Sequence, residues 1–216
     1  MESKLFTPVT FGPLTLRNRT IRSAAFESMC PGNAPSDMLL NYHRSVAAGG
    51  IGMTTVAYAA VTRSGLSFDR QLWMRPEIIP GLRRLTDAVH AEGAAAGIQL
   101  GHCGNMSHKS ICGCTPVGAS GGFNLYSPTF VRGLRADELP ELARAYGRSV
   151  NLAREAGFDA VEIHAGHGYL ISQFLSPATN HRKDEFGGSL QNRMRFMDMV
   201  LEEVMKAAGN DMAVLV

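Results

Sequence analysis

The chain has 216 residues, 45% of them hydrophobic and 19% charged, with a formal net charge of +2. This composition excludes intrinsic disorder, collagen-like and low-complexity classes, and gives no electrostatic reason to expect nucleic acid or a membrane as partner. No apolar run approaches the ~18 residues of a spanning helix, residues 1–22 lack the apolar core of a signal peptide, and four cysteines make no disulfide framework, so one cytoplasmic domain over residues 1–216 with reduced thiols is expected.

In chain order, Thr10 to Leu16 reads as a hairpin turning at Gly12-Pro13, and Thr20 to Ala25 as a first short strand. Ser36 caps a helix that runs to Ala48, before Gly49-Gly50. Ile51 to Ala60 is a nearly unbroken apolar run rich in Thr and Val, the pattern of a strand buried on both faces. Pro76 to Glu92 is helical, with Ile78, Leu82, Leu85 and Val89 at spacings of three and four and Gly93 closing it. Ala95 to Leu100 is a third strand. Residues 103–134, rich in Gly, Ser, Cys and Pro, far exceed the ~2–6 residues of an ordinary strand-to-helix loop and read as a functional excursion. Arg135 to Ala156 is helical, Ala160 to His164 is a fourth strand, a polar segment follows, Leu190 to Ala208 is helical, and Met212 to Val216 opens a fifth strand.

Strand alternating with helix predicts a parallel sheet with right-handed crossovers. A doubly wound sheet would normally carry a Gly-rich phosphate turn after its first strand, and none is present. The fold class expected is therefore α/β, a TIM (β/α)₈ barrel with an N-terminal β-hairpin. Such a barrel typically needs ~250 residues, so the pattern reads as a barrel incomplete within its fifth strand.

Barrel chemistry lies where strands end. The fourth strand ends in Glu162-Ile163-His164-Ala165-Gly166-His167-Gly168-Tyr169. Two imidazoles there can aim N–H groups at one substrate oxygen, and a phenol can donate a proton. The bland alternative is one His capping the strand and the other solvated. A metal alternative takes His164 and His167 with Glu162 or His102 as ligands. It is disfavoured because alternation sets Glu162 two residues deeper, in an interior that is usually apolar; no metal is expected. Cys103, Cys112 and Cys114 with His102 and His108 cluster in the long excursion, but the Cys112-x-Cys114 spacing is not that of a zinc site, so these read as unpaired thiols. Arg182, Asp184, Glu185 and Arg193 read either as an ion-pair network bracing the segment after the fourth strand or as solvated charge.

Several stretches together carry a resemblance. They are Leu5-Phe6-Thr7-Pro8, Leu16-Arg17-Asn18-Arg19, Gly97-Ile98-Gln99-Leu100-Gly101-His102-Cys103-Gly104, and the block from Gly157 to Phe196, with Glu162 to Leu170, Phe174-Leu175-Ser176-Pro177, Asn180-His181-Arg182, Asp184 to Ser189 and Asn192-Arg193. Over essentially its whole length the chain resembles the old yellow enzyme family, the FMN-dependent NADH:flavin oxidoreductases and ene-reductases. The resemblance implies that His164 and His167 hydrogen-bond a substrate carbonyl oxygen and that Tyr169 protonates the α-carbon. It implies that Gln99 binds the flavin pyrimidine ring, that Ser23, Ala24, Ala25 and Phe26 line the flavin with their backbone, and that Ala57 and Tyr58 contact it from the second strand. NAD(P)H would reduce FMN, which would pass hydride to an electron-poor C=C bond of a small activated alkene.

Phe26 stands where many members carry Cys or Thr, and Ser28 where a substrate-contacting Tyr often sits. By the same resemblance, a basic flavin-binding residue of the fifth strand, the phosphate-binding loops and the iron–sulfur cysteines of one subgroup fall outside this chain, so no iron–sulfur cluster is expected in it. Open sheet edges would offer a surface for self-association or a homo-oligomer. The alternatives are an inactive or partner-completed barrel fragment and a metal-dependent hydrolase or lyase on the same barrel.

Overall fold

A computed structural model describes residues 3–216; Met1 and Glu2, where the N-terminal reading begins, lie outside the described residues. Its centre is a sheet of five parallel strands: β3 (Ile21–Arg22), β4 (Met53–Ala60), β5 (Ala95–Gly101), β9 (Ala160–Ile163) and β10 (Ala213–Leu215). Their order is β10-β9-β5-β4-β3, monotonic in sequence. All eight residues of β4 are buried, as a strand covered on both faces requires.

Helices fill the crossovers as their sequences dictate. In α1 (Asp37–Ala48), Ser36 Oγ accepts the Leu39 N–H at 3.2 Å, satisfying a donor the first turn leaves orphaned. A 3₁₀ turn, Pro76–Ile78, leads into α2 (Ile79–Ala91), where Leu82, Leu85 and Val89 are fully buried. Each such side chain stabilises the fold by about 1.5–3 kcal/mol relative to exposure. α4 (Leu139–Glu155) packs on α2 and on α6 (Leu190–Ala208), whose cap is Ser189 accepting from the Asn192 N–H at 3.2 Å. No helix among the described residues is long and apolar enough to cross a membrane.

The N-terminal hairpin forms as read: β1 (Val9–Phe11) pairs antiparallel with β2 (Leu14–Leu16), Gly12 taking φ 55° at the turn. Leu16 packs with Met53, Ala160 and Ala213 at the N-terminal ends of the parallel strands. One end of the sheet is thus plugged, which leaves the C-terminal end for a site.

Three readings need correction. The first strand is only two residues long, because from Ser23 onward the backbone leaves the β4 ladder. The polar segment after β9 contains a helix, α5 (Leu170–Leu175), with Leu170, Ile171 and Phe174 fully buried; six residues are too few to show a helical period. The excursion is ordered into a short helix, α3 (Lys109–Cys112), and a small sheet of β6 (Val117–Gly118), β7 (Gly122–Asn124) and β8 (Thr129–Gly133). β7 and β8 pair antiparallel with Phe123 opposite Phe130, ring centroids 5.2 Å apart. Of the anticipated ion pairs only Arg182–Asp184 forms, at 2.5 Å; Arg193 instead donates to the Leu175 and Gly188 carbonyls.

Candidate active site

His164 leaves the end of β9 with its N–H still on the Leu100 carbonyl at 2.9 Å, so its backbone extends the β5–β9 ladder by one residue. The Gly166 N–H donates to His164 Nδ1 at 3.3 Å. That bond assigns the ring proton to Nε2, which lies 3.2 Å from His167 Nδ1. The turn between the histidines is tight because His167 and Gly168 are both left-handed, with φ of 54° and 69°. A histidine in that region is uncommon, and here it folds the second imidazole back over the first, ring centroids 5.0 Å apart. Tyr169 follows with its ring 4.8 Å from that of His164.

This turn is held from behind. The Leu170 N–H donates to the His102 carbonyl at 2.9 Å. Gln173 Nε2 donates to the Gly168 carbonyl at 2.7 Å and the Cys103 carbonyl at 3.0 Å, while its Oε1 accepts from the Asn105 N–H at 3.2 Å. Tyr58, buried, donates its hydroxyl to the Gly65 carbonyl at 2.9 Å and stands edge-on to His164 at 5.7 Å.

Burial sets the protonation states. His164 is pushed down to about 4, first by burial and second by the neighbouring His167. Burial raises Tyr169 above the ordinary phenol range. Near neutral pH the site therefore offers a neutral imidazole with an N–H to donate and a phenol that keeps its proton. His102, pushed down to about 4 by burial alone, is tied to the Gly104 N–H at 3.0 Å and Ser64 Oγ at 3.1 Å, and takes no part in the rim. Among the described residues no group of three or more His, Cys, Asp or Glu is placed to hold a metal.

The remaining residues singled out by sequence fall on the same side. Gln99 pairs in register with Glu162, its Nε2 donating to Glu162 Oε1 at 2.5 Å. Alternation then sets Gln99 one layer below His164. Ala57 and Tyr58 sit where the β4–β5 register breaks between Val56 and Ala59. Ala24 and Tyr169 both pack against the small cluster that includes Ala57 and Tyr58. Ser23, Ala25 and Phe26 are exposed beside it, Phe26 stacking on Phe68 at 4.6 Å. These residues fit a flavin: Ser23, Ala24, Ala25 and Ala57 carry side chains small enough to let a planar ring approach the backbone, and the Gln99 amide, held through its nitrogen, keeps its oxygen free to accept an imide N–H.

Sequence reasoning missed Glu27. Its side chain, 4% exposed, pairs with Arg22 at 2.8 Å and accepts the Ala57 N–H at 3.3 Å. His43 Nε2 approaches it at 3.3 Å, off the line of a hydrogen bond, while His43 Nδ1 lies 2.7 Å from Thr54 Oγ1. Glu27 thus fastens the Ser23–Phe26 segment to the break in β4. The only signal in sequence was a lone acid in the otherwise uncharged stretch from Ser23 to Cys30.

The chain belongs to the NADH:flavin oxidoreductase / NADH oxidase family, whose model matches residues 4–216. It is 44% identical over 210 residues to a 4,4'-dithiodibutanoate disulfide reductase of Rhodococcus erythropolis, an alignment covering 97% of this chain and 52% of that protein. It is 37% identical over 209 residues to an NADPH dehydrogenase of Bacillus subtilis, covering 94% of this chain and 60% of the relative. The old yellow enzyme homologue from Zymomonas mobilis superposes with a TM-score of 0.91 at 30% identity, over 98% of this chain and 62% of that structure. The chain thus spans roughly half to three-fifths of the length of these relatives.

Proposed function

We propose that this chain carries the flavin-facing and substrate-binding part of an FMN-dependent oxidoreductase that takes its electrons from NAD(P)H and reduces the electron-poor C=C bond of a small enone or enoyl-type molecule. Family membership supports the flavin, and similarity to an NADPH dehydrogenase supports the reductant. The architecture we propose is an arc of a (β/α)₈ barrel. The strand order is monotonic; with the right-handed crossovers that parallel strands take, such an order puts every helix on one face, whereas a doubly wound sheet reverses its order at a switch point.

The observation that carries the substrate reading is the rim itself: neutral His164, His167 and proton-bearing Tyr169 within 5.0 Å of His164 by ring centroid. His164 Nε2–H, which lies 3.2 Å from His167 Nδ1, would turn to a substrate oxygen to which His167 offers its own ring N–H, and such a pair suits a carbonyl oxygen gaining negative charge. The Tyr169 hydroxyl delivers the proton that completes saturation of the double bond. Gln99 and the backbone of Ser23, Ala24, Ala25, Phe26, Ala57 and Tyr58 would hold FMN, which when bound supplies the hydride. Glu27 keeps the two backbone segments together.

The test replaces both His164 and His167 with Ala in the whole protein. Phenol binding, read from the flavin spectrum, should weaken, and enone reduction should slow, while flavin reduction by NAD(P)H stays near wild type. Unchanged phenol affinity and enone turnover would remove the pair from the mechanism.

A further inference from the structure

Away from the rim, the excursion between β5 and α4 holds two thiols side by side. Cys112 ends α3 and is buried, Gly113 is left-handed at φ 74°, and Cys114 is exposed. This turn brings the two Sγ atoms to 3.7 Å. Glycine suits the position between them: the left-handed conformation disfavours a side chain, and a Cβ would meet the Arg63 guanidinium at 3.2 Å. Arg63 therefore lies over the Cys-Gly-Cys turn, and it makes no ion pair among the described residues. Cys114 also opens onto a cavity of about 650 Å³ lined by Thr62, Ser64 and Arg132 among others. The other two cysteines differ in access: Cys30 and Cys103 are buried, and that burial pushes both up to about 12, so neither meets an external disulfide.

We propose that Cys112 and Cys114 form a dithiol site that exchanges with small aliphatic disulfides bearing carboxylates. The Cys114 thiolate attacks one sulfur of the external disulfide, forming a mixed disulfide and expelling one thiolate. The Cys112 thiolate then attacks the Cys114 sulfur and expels the second. The protein pair is oxidised to an internal disulfide, the external disulfide is reduced to two thiols, and the two protons lost by the cysteines end on the leaving thiols. Closing the bridge needs the sulfurs at about 2.05 Å, and exposed Cys114 can rotate toward Cys112 without disturbing the core. A bridge across a single residue is strained and therefore oxidising, so excess external disulfide drives it closed and excess thiol reopens it. Arg63 supplies the charge that selects an anionic disulfide, and with Arg132 it favours the Cys114 thiolate, against burial and the Cys112 thiol, which hold that group above its ordinary range. The exchange needs no flavin.

The test exposes the reduced, desalted protein at mildly alkaline pH, without oxygen, to 3,3'-dithiodipropionate or to cystamine, a dianion and a dication. Alkylation with peptide mapping and intact mass follow. We expect Cys112 and Cys114 to lose reactivity together, with two thiols released, no retained adduct, and full recovery after dithiothreitol. The dianion should react several-fold faster, by a margin that shrinks in salt and disappears in Arg63→Gln. Cys112→Ser should trap the mixed disulfide on Cys114, and Cys114→Ser should form neither product. A stable adduct on wild-type Cys114, continued alkylation of both thiols, or a Cys114→Ser protein that reacts like wild type would overturn the exchange site. An unchanged preference in Arg63→Gln would overturn its anion selectivity.

Discussion

The turn from His164 to Tyr169 and the excursion at residues 103–134 both leave the C-terminal ends of neighbouring strands, β9 and β5, yet they are held in different ways. Behind the first stand Leu170, Ile171 and Phe174, all fully buried, and Gln173, whose amide serves three backbone groups. At the tip of the second, Leu125, Tyr126 and Phe130 are 82%, 89% and 77% exposed, and the Phe123–Phe130 pair is the main cross-strand contact. Groups that must meet a reacting atom within a fraction of an ångström belong on the first kind of support. The second kind tolerates exchange at its tip.

The comparison is tested most severely at Tyr169. Tyr169→Phe keeps the ring and removes the acid, so enone reduction should fall by ~10²–10⁴-fold while flavin reduction by NAD(P)H is spared. Stopped-flow traces with both half-reactions at wild-type speed would assign the proton to another group. Next comes the support itself. Phe174 packs tilted against Phe196, ring centroids 4.6 Å apart, and Phe174→Ala should cost about 3–5 kcal/mol in denaturant unfolding; a loss below about 1 kcal/mol would mean that α5 does not anchor the rim.

A third prediction concerns pH. His102 and His164 are held down to about 4 in the folded chain, against an unfolded value of ~6.5. Between those values the unfolded chain binds more protons, so their contribution is fully present above about pH 6.5 and is lost as pH falls toward 4. His102 contributes on the order of 3 kcal/mol over that window, and His164, partly open to solvent, contributes less. Urea midpoints should drop steeply below about pH 6, and His102→Asn should flatten the slope; a stability independent of pH there would contradict the buried neutral histidines.

A smaller loss is expected at Glu27. Glu27→Gln keeps an acceptor for the Ala57 N–H but removes the charge facing Arg22 and His43, and should cost about 1–3 kcal/mol, with weakened flavin retention as the accompanying readout. Smallest of all is Tyr126→Ser at the excursion's tip, expected within about 0.5 kcal/mol of wild type in the same unfolding assay. A larger effect would show that the tip packs on something in solution, and the contrast between the two regions would fail.

Periodicity was enough to read the helices at Asp37–Ala48 and Leu190–Ala208 and the buried strand Met53–Ala60, because each has an unambiguous apolar pattern and a local stop. The cluster of His164, His167 and Tyr169 was legible from where it falls, just past the end of a strand in an alternating pattern. α5 was not, since a six-residue helix shows less than two turns of any period. Nor was the small sheet of the excursion, whose strands of two, three and five residues are set by cross-strand contacts rather than by alternation.

What the amino-acid sequence determined by itself was the order of the five parallel strands and the long helices between them, the end of the sheet at which chemistry collects, and the residue types gathered there. These follow from local patterns within some ten residues of chain. Only the tertiary structure decided that His164 is neutral, that His167 folds back over it in a left-handed turn, that Gln99 spends its nitrogen on Glu162, and that Glu27 ties residues 22 and 57 together. Each of these depends on burial or on partners distant in sequence, and burial is what turns an ordinary imidazole, amide or carboxylate into a group with one fixed role.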